Sequence, residues 1–472
     1  MAYKTVPFNV VGGSHSKQSR PLSSQRTINL YPDYDEAGKD NFVLHSWAGQ
    51  KLIGEVTGLL DRGMHRMNEV LYRVIDNTLY SVNKYGTHTS IGTIPNTDRC
   101  IFTDDGDNLV IVTGGSVYIY TKSANTLQQN TNSNLNSVIS ADIINYQVLY
   151  TTKDLTFVAD AGDPFSVNGL NAIGAESNPD EMVRDFQFNQ TIYRFGKRTT
   201  ELWYNSGVGS PPIDRIEGAM FSVGLLAKHS LARTDSAIYW LGDDFNVYRT
   251  QSRQEERLSD DSLAYQIQNM SVIDDAIGYT VTINDNDFYI LAFPSENVTF
   301  AVNEKLGKAG WFELADELDT AYNATSAITA YNKQLVASGG KLLHLTTLAY
   351  DNNGKQMPKQ RITSSASGRM FQLGNKRLKM LRAEFLCDVG NGLINGQGSD
   401  PRMLVEYSID GGRTFAHGAW LELGRLGEYT KRVEFWKKIS FNDLIFKLTV
   451  NDSVQFSLYN ATIDVKSAGS RR

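Results

Sequence analysis

The residues of this 472-residue chain best arranged for local chemistry are Ser408-Ile409-Asp410-Gly411-Gly412-Arg413-Thr414-Phe415. The order Ser-x-Asp-x-Gly-x-Thr-aromatic is the Asp-box pattern, and its chemistry is that of a clasp. Asp410 accepts N–H bonds from the turn, the glycines permit positive φ, and Phe415 packs beneath. Other patterns lead no closer to catalysis. The 7 histidines (His15, His45, His65, His88, His229, His344 and His417) form no close pairs, and neither Cys100 nor Cys387 sits near one in sequence, so no zinc set is spelled out. DDGDNL (Asp104–Leu109) and NDNDF (Asn284–Phe288) look like calcium loops, but they lack the full D-x-[DN]-x-[DN]-G-x5-E spacing and fall at hairpin turns. No G-x-S-x-G elbow occurs. Gly339-Gly340-Lys341 is followed by strand residues, not the helix a phosphate loop needs. Nothing local selects a carboxylate pair for glycoside hydrolysis. The expectation is no catalytic residue, no cofactor-binding residue and no metal ligand.

Charge bounds the partners. The net charge is −6, with 21% charged and 41% hydrophobic residues. That balance gives no general attraction to duplex DNA or an anionic membrane. The basic segments Lys17–Arg20, Gly196–Glu201, Lys355–Arg361 and Gly374–Arg382 read as solvated surface or as salt bridges between proteins. In the last of these, strict alternation puts Arg377 and Lys379 on one strand face and Arg382 on the other. The 2 cysteines lie in apolar surroundings and read as buried thiols. The start MAYKTVPFNVVGG lacks a charged and then apolar leader pattern, and no run of about 18 apolar residues occurs. Folding in the cytoplasm of the producing cell is therefore expected.

The elements that hold these residues are strands. A strand–turn–strand unit recurs about seven times. It appears at Val70–Val82, Leu109–Thr121, Leu149–Ala159, Ile192–Tyr204, Ala237–Thr250, Tyr279–Phe293 and Leu335–Leu348. Each is an apolar, β-branched or aromatic run, a Gly/Asn/Asp turn, and a second such run. One hairpin cannot bury its own apolar face, so the array must stack around a common core. Spacings of about 40–55 residues suit the four-stranded blades of a propeller, six or seven in number. Two packed sheets with the same hairpin content are the alternative. The composition, with 23 Tyr, 21 Phe and 39 Gly, agrees.

Around this array the chain divides into three parts. Residues 1–60 form an extended N-terminal segment, packed on the body or ordered against a neighbour, in which Arg20 and Arg26 are candidates for salt bridges. Residues 61–350 form the propeller-like domain. Residues 351–472 read as a C-terminal β-sandwich-like domain, from alternation in Met403–Leu423, Lys431–Asp452 and Val454–Lys466. Helical pattern is confined to Gln254–Met270, with Ser259 as its cap. Asn125–Ser140 reads as an exposed polar loop, Asp180–Phe188 as a strand opened by the turn at Asn178–Pro179, and the terminal GSRR as frayed.

The opening YKTVPFNVVGGSHSKQSRPLSSQRTINLYPDYDEAGKDNFVLHSWAGQKL and the segment EMVRDFQFNQTIYRFGKRTTELWYNSG (Glu181–Gly207) carry a resemblance that runs from end to end. Pro21–Pro32 and Gln187–Tyr204 are its most specific stretches. The chain resembles the packaged-DNA stabilisation proteins of short-tailed enterobacterial phages, also called tail accessory factors or tail hubs. The resemblance implies a structural protein of the virion tail and no catalytic activity. It implies a hexameric ring beneath the portal and its adaptor ring, closing the DNA channel, with docking surfaces for tailspike trimers and the tail needle. Contact with the packaged DNA would be incidental. The family's interface residues are not motif-like, so none is carried onto a numbered position. The alternative from another class is a propeller glycosidase, to which Asp boxes are familiar, or a receptor-binding tail component acting on host polysaccharide.

Overall fold

Two-residue turns with both residues at positive φ organise most of the array. They fall at Asn68–Glu69, Asn145–Tyr146, Asn189–Gln190, Asn284–Asp285 and Tyr331–Asn332. Such turns match the right-handed twist of the flanking strands and fix the register of each hairpin. The computed structural model describes residues 3–16, 23–34, 41–174, 180–367, 371 and 376–468. Among these residues, five four-stranded antiparallel sheets stand alone and two more continue into larger sheets, making seven blades. Their innermost strands are Asp61–Met67, Ile101–Asp104, Ser140–Ile144, Met182–Phe188, Ala232–Arg233, Ile277–Ile283 and Ser326–Ala330.

Each hairpin read from the sequence lies in a blade. Six of them are a blade's second and third strands, whereas Tyr279–Phe293 takes in the first and second strands of the sixth blade. The seventh blade takes its fourth strand from the opposite end of the array. Gly49–Glu55 pairs antiparallel with Lys341–Thr346, so the ring is closed by hydrogen bonds. At this seam a Cβ on Gly54 would strike the Gly86 carbonyl of the first blade.

Two details differ from the sequence reading. Asn125–Ser140 is not an open loop. Thr126–Asn130 is the second blade's outer strand and is polar because that edge faces water. A 3-10 turn at Ser133–Leu135 then buries Leu135. The helix spans Asp261–Gln268, and its cap is Asp260, whose carboxylate accepts the Leu263 N–H at 2.8 Å. The Ser259 hydroxyl instead accepts the Val247 N–H and donates to Asn246. The turn at Asn178–Pro179, the residues Lys17–Arg20 and the terminal GSRR lie outside the described residues.

The sandwich is built from both ends of the chain. Its first sheet runs Leu30–Tyr34, Phe42–Ser46, Ser457–Ser467, Leu378–Cys387 and Val433–Phe441, with Lys4–Phe8 pairing Ser457–Ser467. The second runs Ser24–Ile28, Lys359–Ile362, Asp443–Val450, Arg402–Ser408 and Ala416–Glu422. Phe8, Phe385, Phe435 and Phe446 fill the space between them. This second sheet is continuous with the sixth blade, because Ser24–Ile28 pairs with both Trp311–Leu314 and Lys359–Ile362. One hydrogen-bonded sheet thus spans propeller and sandwich.

Four fully buried arginines secure these joints. Between the seventh and first blades, Arg73 pairs with Asp61 at 3.1 Å and donates to the Gly339 carbonyl. Asp61 also accepts from Thr325 and Ser326. Between the third and fourth blades, Arg194 pairs with Asp185 at 3.2 Å and donates to Thr156 and the Gly174 carbonyl. Arg62 links the first two blades with no acid at all, donating to the Asp98, Asp76 and Ile94 carbonyls and to Asn96 and Thr113. Arg361 does the same where the N-terminal segment crosses the sandwich. It donates to the Val10 and Gly13 carbonyls, to Thr27 and to Gln25. Burial lowers its pKa to about 9.

Two outcomes follow from these joints. Arg361→Ala leaves several buried acceptors without a donor and opens a cavity, and should cost roughly 3 kcal/mol. A urea midpoint equal to the parent's would refute that. At the seam, His88 donates Nδ1–H to the Gly86 carbonyl and presents Nε2 to Arg73 at 3.3 Å. Tyr80 packs edge-on against its ring. Burial and the Arg73 charge lower the His88 pKa to about 4 from 6.5. The unfolded chain therefore takes up this proton first, and the His88 contribution to stability falls as pH drops from 6.5 to 4. His88→Gln should flatten that part of the slope, as measured by urea midpoints across the interval. An unchanged slope would remove His88 from the account.

Candidate functional site

Two surfaces concentrate exposed or unspent chemistry: the bore of the propeller and one edge of the sandwich. The inner strands enter the bore in parallel, so residues at equivalent positions form layers. At the exit end, a cavity of about 710 Å³ is lined by His65, Arg66, Arg233, Asp235, Thr282 and Asp287, among others. It leads into a space of about 450 Å³ along Asp104, Asp142, Arg184 and Phe186. At the entry end the bore narrows to about 190 Å³ around Arg99, Arg184, His229 and Tyr279.

Three of the bore's carboxylates are committed to structure. Asp104 meets His65 at 2.6 Å. Asp142 accepts the peptide N–H groups of Ile143 and Gln187, and burial raises its pKa. Asp287 accepts from Thr282 at 2.6 Å. No cluster of His, Cys, Asp and Glu suited to a metal occurs among the described residues.

The sequence-derived candidates fall into structural roles. In the Asp box, Asp410 accepts from Ser408, from the Arg413 N–H and from both the N–H and hydroxyl of Thr414. Those bonds hold its carboxyl well below the usual carboxylate range. The Lys447 ammonium lies 4.9 Å from the Phe415 ring. The motif is the hairpin clasp its residues describe. Asp105 closes the DDGDNL turn on the Asp107 and Asn108 N–H groups, and Asn284–Asp285 is a hairpin turn. Gly339-Gly340 joins the strands Lys333–Ser338 and Lys341–Thr346. Cys100 is buried, Cys387 half-buried, and both are free thiols.

The basic segments are largely neutralised within the chain. Lys197 and Lys153 both pair with Glu181, while Lys359 and Arg361 are buried. Strict alternation fails in Leu378–Cys387. A bulge between Met380 and Arg382 resets the pleat, so Lys379 and Arg382 both point away from the core. There Arg382 pairs with Glu434 and Asp464, each at 2.9 Å.

The sandwich edge was not legible from the sequence. Ala416–Glu422 ends one sheet and Val433–Phe441 ends the other. Each carries an exposed tryptophan, Trp420 at 51% and Trp436 at 60%. Arg382 lies 5.5 Å over the Trp436 ring, whose indole N–H donates to Glu434. Exposed tryptophans beside unpaired strand edges mark a surface made for contact. The only sequence signal was the aromatic interrupting each polar face of its strand.

Comparison with known proteins agrees with this architecture. A model described as "Bacteriophage P22 Gp10, beta-propeller" matches residues 5–347. A second, "Bacteriophage P22 Gp10, beta-sandwich", matches residues 365–466. No curated protein matches the chain. Among solved structures, a chain of the Mitotic Checkpoint Complex is 11% identical with a TM-score of 0.41, covering 62% of this chain and 90% of its own. The Neurospora crassa Pan2 WD40 domain is 9% identical at 0.43, covering 64% and 97%. BamB from Moraxella catarrhalis is 10% identical at 0.38, covering 73% and 96%. Scores this low carry no argument. The two family models, matching propeller and sandwich in turn, do: the chain belongs to the bacteriophage P22 Gp10 family, whose members are non-catalytic structural proteins of the virion tail that stabilise packaged DNA and act in oligomeric assembly.

Proposed function

We propose that six copies form a ring beneath the portal and its adaptor ring, close the DNA channel mechanically, and present docking surfaces to tailspike trimers and the tail needle. The chain folds in the cytoplasm of the bacterial host and joins the particle there. Contact with packaged DNA is incidental, since the net charge of −6 offers no general attraction to phosphate. No residue acts catalytically. In this reading residues 61–350 are the propeller unit and residues 351–472 the sandwich unit, with residues 1–60 serving both.

The observation that carries the proposal is the sandwich edge with Trp420 and Trp436 exposed on neighbouring terminal strands. A closed cyclic ring needs a heterologous contact, one patch of each copy meeting a different patch of the next. A strand edge flanked by tryptophans supplies both directional hydrogen bonds and apolar area. We assign this edge to the neighbouring copy. The sheet continuous from sandwich to sixth blade supports a rigid subunit, so that several weak contacts act together.

Particles made without the chain should fill with DNA and then lose it, measured as packaged DNA retained after purification. Stable, infectious particles lacking the chain would sink the proposal. The double variant Trp420→Glu, Trp436→Glu should keep the parent urea midpoint, because both side chains are exposed, yet lose association in sedimentation or on adaptor-capped portals. Full assembly by that variant would move the subunit contact elsewhere.

A further inference from the structure

The entry end of the propeller bore gathers cations that, among the described residues, make no direct ion pair. Arg99 precedes the second blade's inner strand, Arg184 lies on the fourth blade's, and Lys228 and His229 precede the fifth blade's. The Arg184 guanidinium stacks 5.3 Å from the Phe186 ring and donates one N–H to the Lys228 carbonyl. Its Nε is buried and has no hydrogen-bond partner. Arg99 donates to the Thr325 carbonyl. Among the described residues, none of Arg99, Arg184 and Lys228 is in an ion pair. Burial, opposed by the Asp142 charge and joined by those of Arg233 and Arg99, lowers the pKa of Arg184 to about 10. Burial and Arg184 likewise lower that of Lys228. His229 is pushed well below its ordinary value by burial and by these three cations, so it is neutral at pH 7.

The acids nearby are engaged or exposed. Asp61 is tied to Arg73, Thr325 and Ser326. Asp142 accepts two peptide N–H groups, and Asp98 lies exposed at the rim. Left alone, the Arg99 and Arg184 guanidiniums lining one constricted polar space repel each other, and Arg184 retains an unpaired donor.

We propose that this end of the bore is a binding site for a small tetrahedral oxyanion of the phosphate or sulfate class. Guanidinium forks suit such an anion, and its charge relieves their mutual repulsion. The constriction of about 190 Å³ matches a small anion. The role is a structural pin. An anion held by Arg99 and Arg184 bonds the second and fourth blades to one centre and stiffens the hub across the bore.

Thermal unfolding of the full chain in rising inorganic phosphate, against sodium chloride of equal ionic strength, tests this. A saturable rise of about 2 °C is expected in phosphate and sulfate and not in chloride. Arg184→Gln and Arg99→Gln should each abolish the rise, and phosphorus NMR should lose its phosphate line broadening with them. If one variant does not fold, the other decides, and the comparison of phosphate with chloride on the parent chain tests the site without either. A phosphate response equal to that of chloride, or an undiminished saturable rise in a folded variant, would overturn the assignment.

Discussion

A guanidinium buried among carbonyls and hydroxyls is the interaction on which this architecture depends. Arg62, Arg73, Arg194 and Arg361 are all fully buried, and each sits at a seam: blade to blade, ring closure, or N-terminal segment to sandwich. Taking a cation out of water costs several kcal/mol, so the site must supply most of five donors with partners. Arg62 and Arg361 meet that demand with neutral acceptors alone, from segments far apart in sequence. A lysine has too few donors, and its charge is more readily lost on burial. An apolar side chain would fill the volume and leave the carbonyls bare. The arginine fork reads the relative position of three or four chain segments at once, and so fixes how the blades meet.

Those joints make the subunit one body. The sheet running from the sixth blade through Ser24–Ile28 into the sandwich is continuous in strand order, joined to the blade where Ile28 faces Glu313. A load on the sandwich edge is therefore carried into the wheel by hydrogen bonds in shear. For a protein that stabilises packaged DNA, such stiffness matters more than any reactive group. Within the bore, Asp104, Asp142 and Asp287 are spent on a histidine, peptide groups and a threonine, while both exposed tryptophans lie at the sandwich edge.

The blade hairpins were legible because apolar runs and Gly/Asn/Asp turns are local signals with a fixed period. The outer strands were not, since Thr126–Asn130 faces water and carries a loop's composition. The bulge at Met380–Arg382 defeated an argument from alternation, because a one-residue insertion inverts every later face. Lys359 and Arg361 looked like surface charge in KQMPKQR; only tertiary context reveals that their partners are the carbonyl of Asp452 and the N-terminal segment. The closing strand Gly49–Glu55 was invisible for the same reason. Its apolar content is slight, and its partner lies at the far end of the array. In the functional surfaces, the Asp box was readable to the atom, whereas the tryptophan edge needed strand order.

That distant pairing has an energetic consequence for the whole wheel. Bringing Gly49–Glu55 to Lys341–Thr346 closes a loop of nearly three hundred residues, yet closure entropy grows only with the logarithm of length, to about 5 kcal/mol. Six paired positions and the Arg73–Asp61 seam act against it. Without the strand, the seventh blade would present a bare edge beside the first, and both would be open to pairing with another chain. Seating Ser24–Ile28, Leu30–Tyr34, Phe42–Ser46 and Gly49–Glu55 across the sixth-blade sheet, the sandwich and the seventh blade couples these three regions. The wheel, its closure and the sandwich are consequently tied to one another, and the same short segment that seals the ring also holds it to the sandwich.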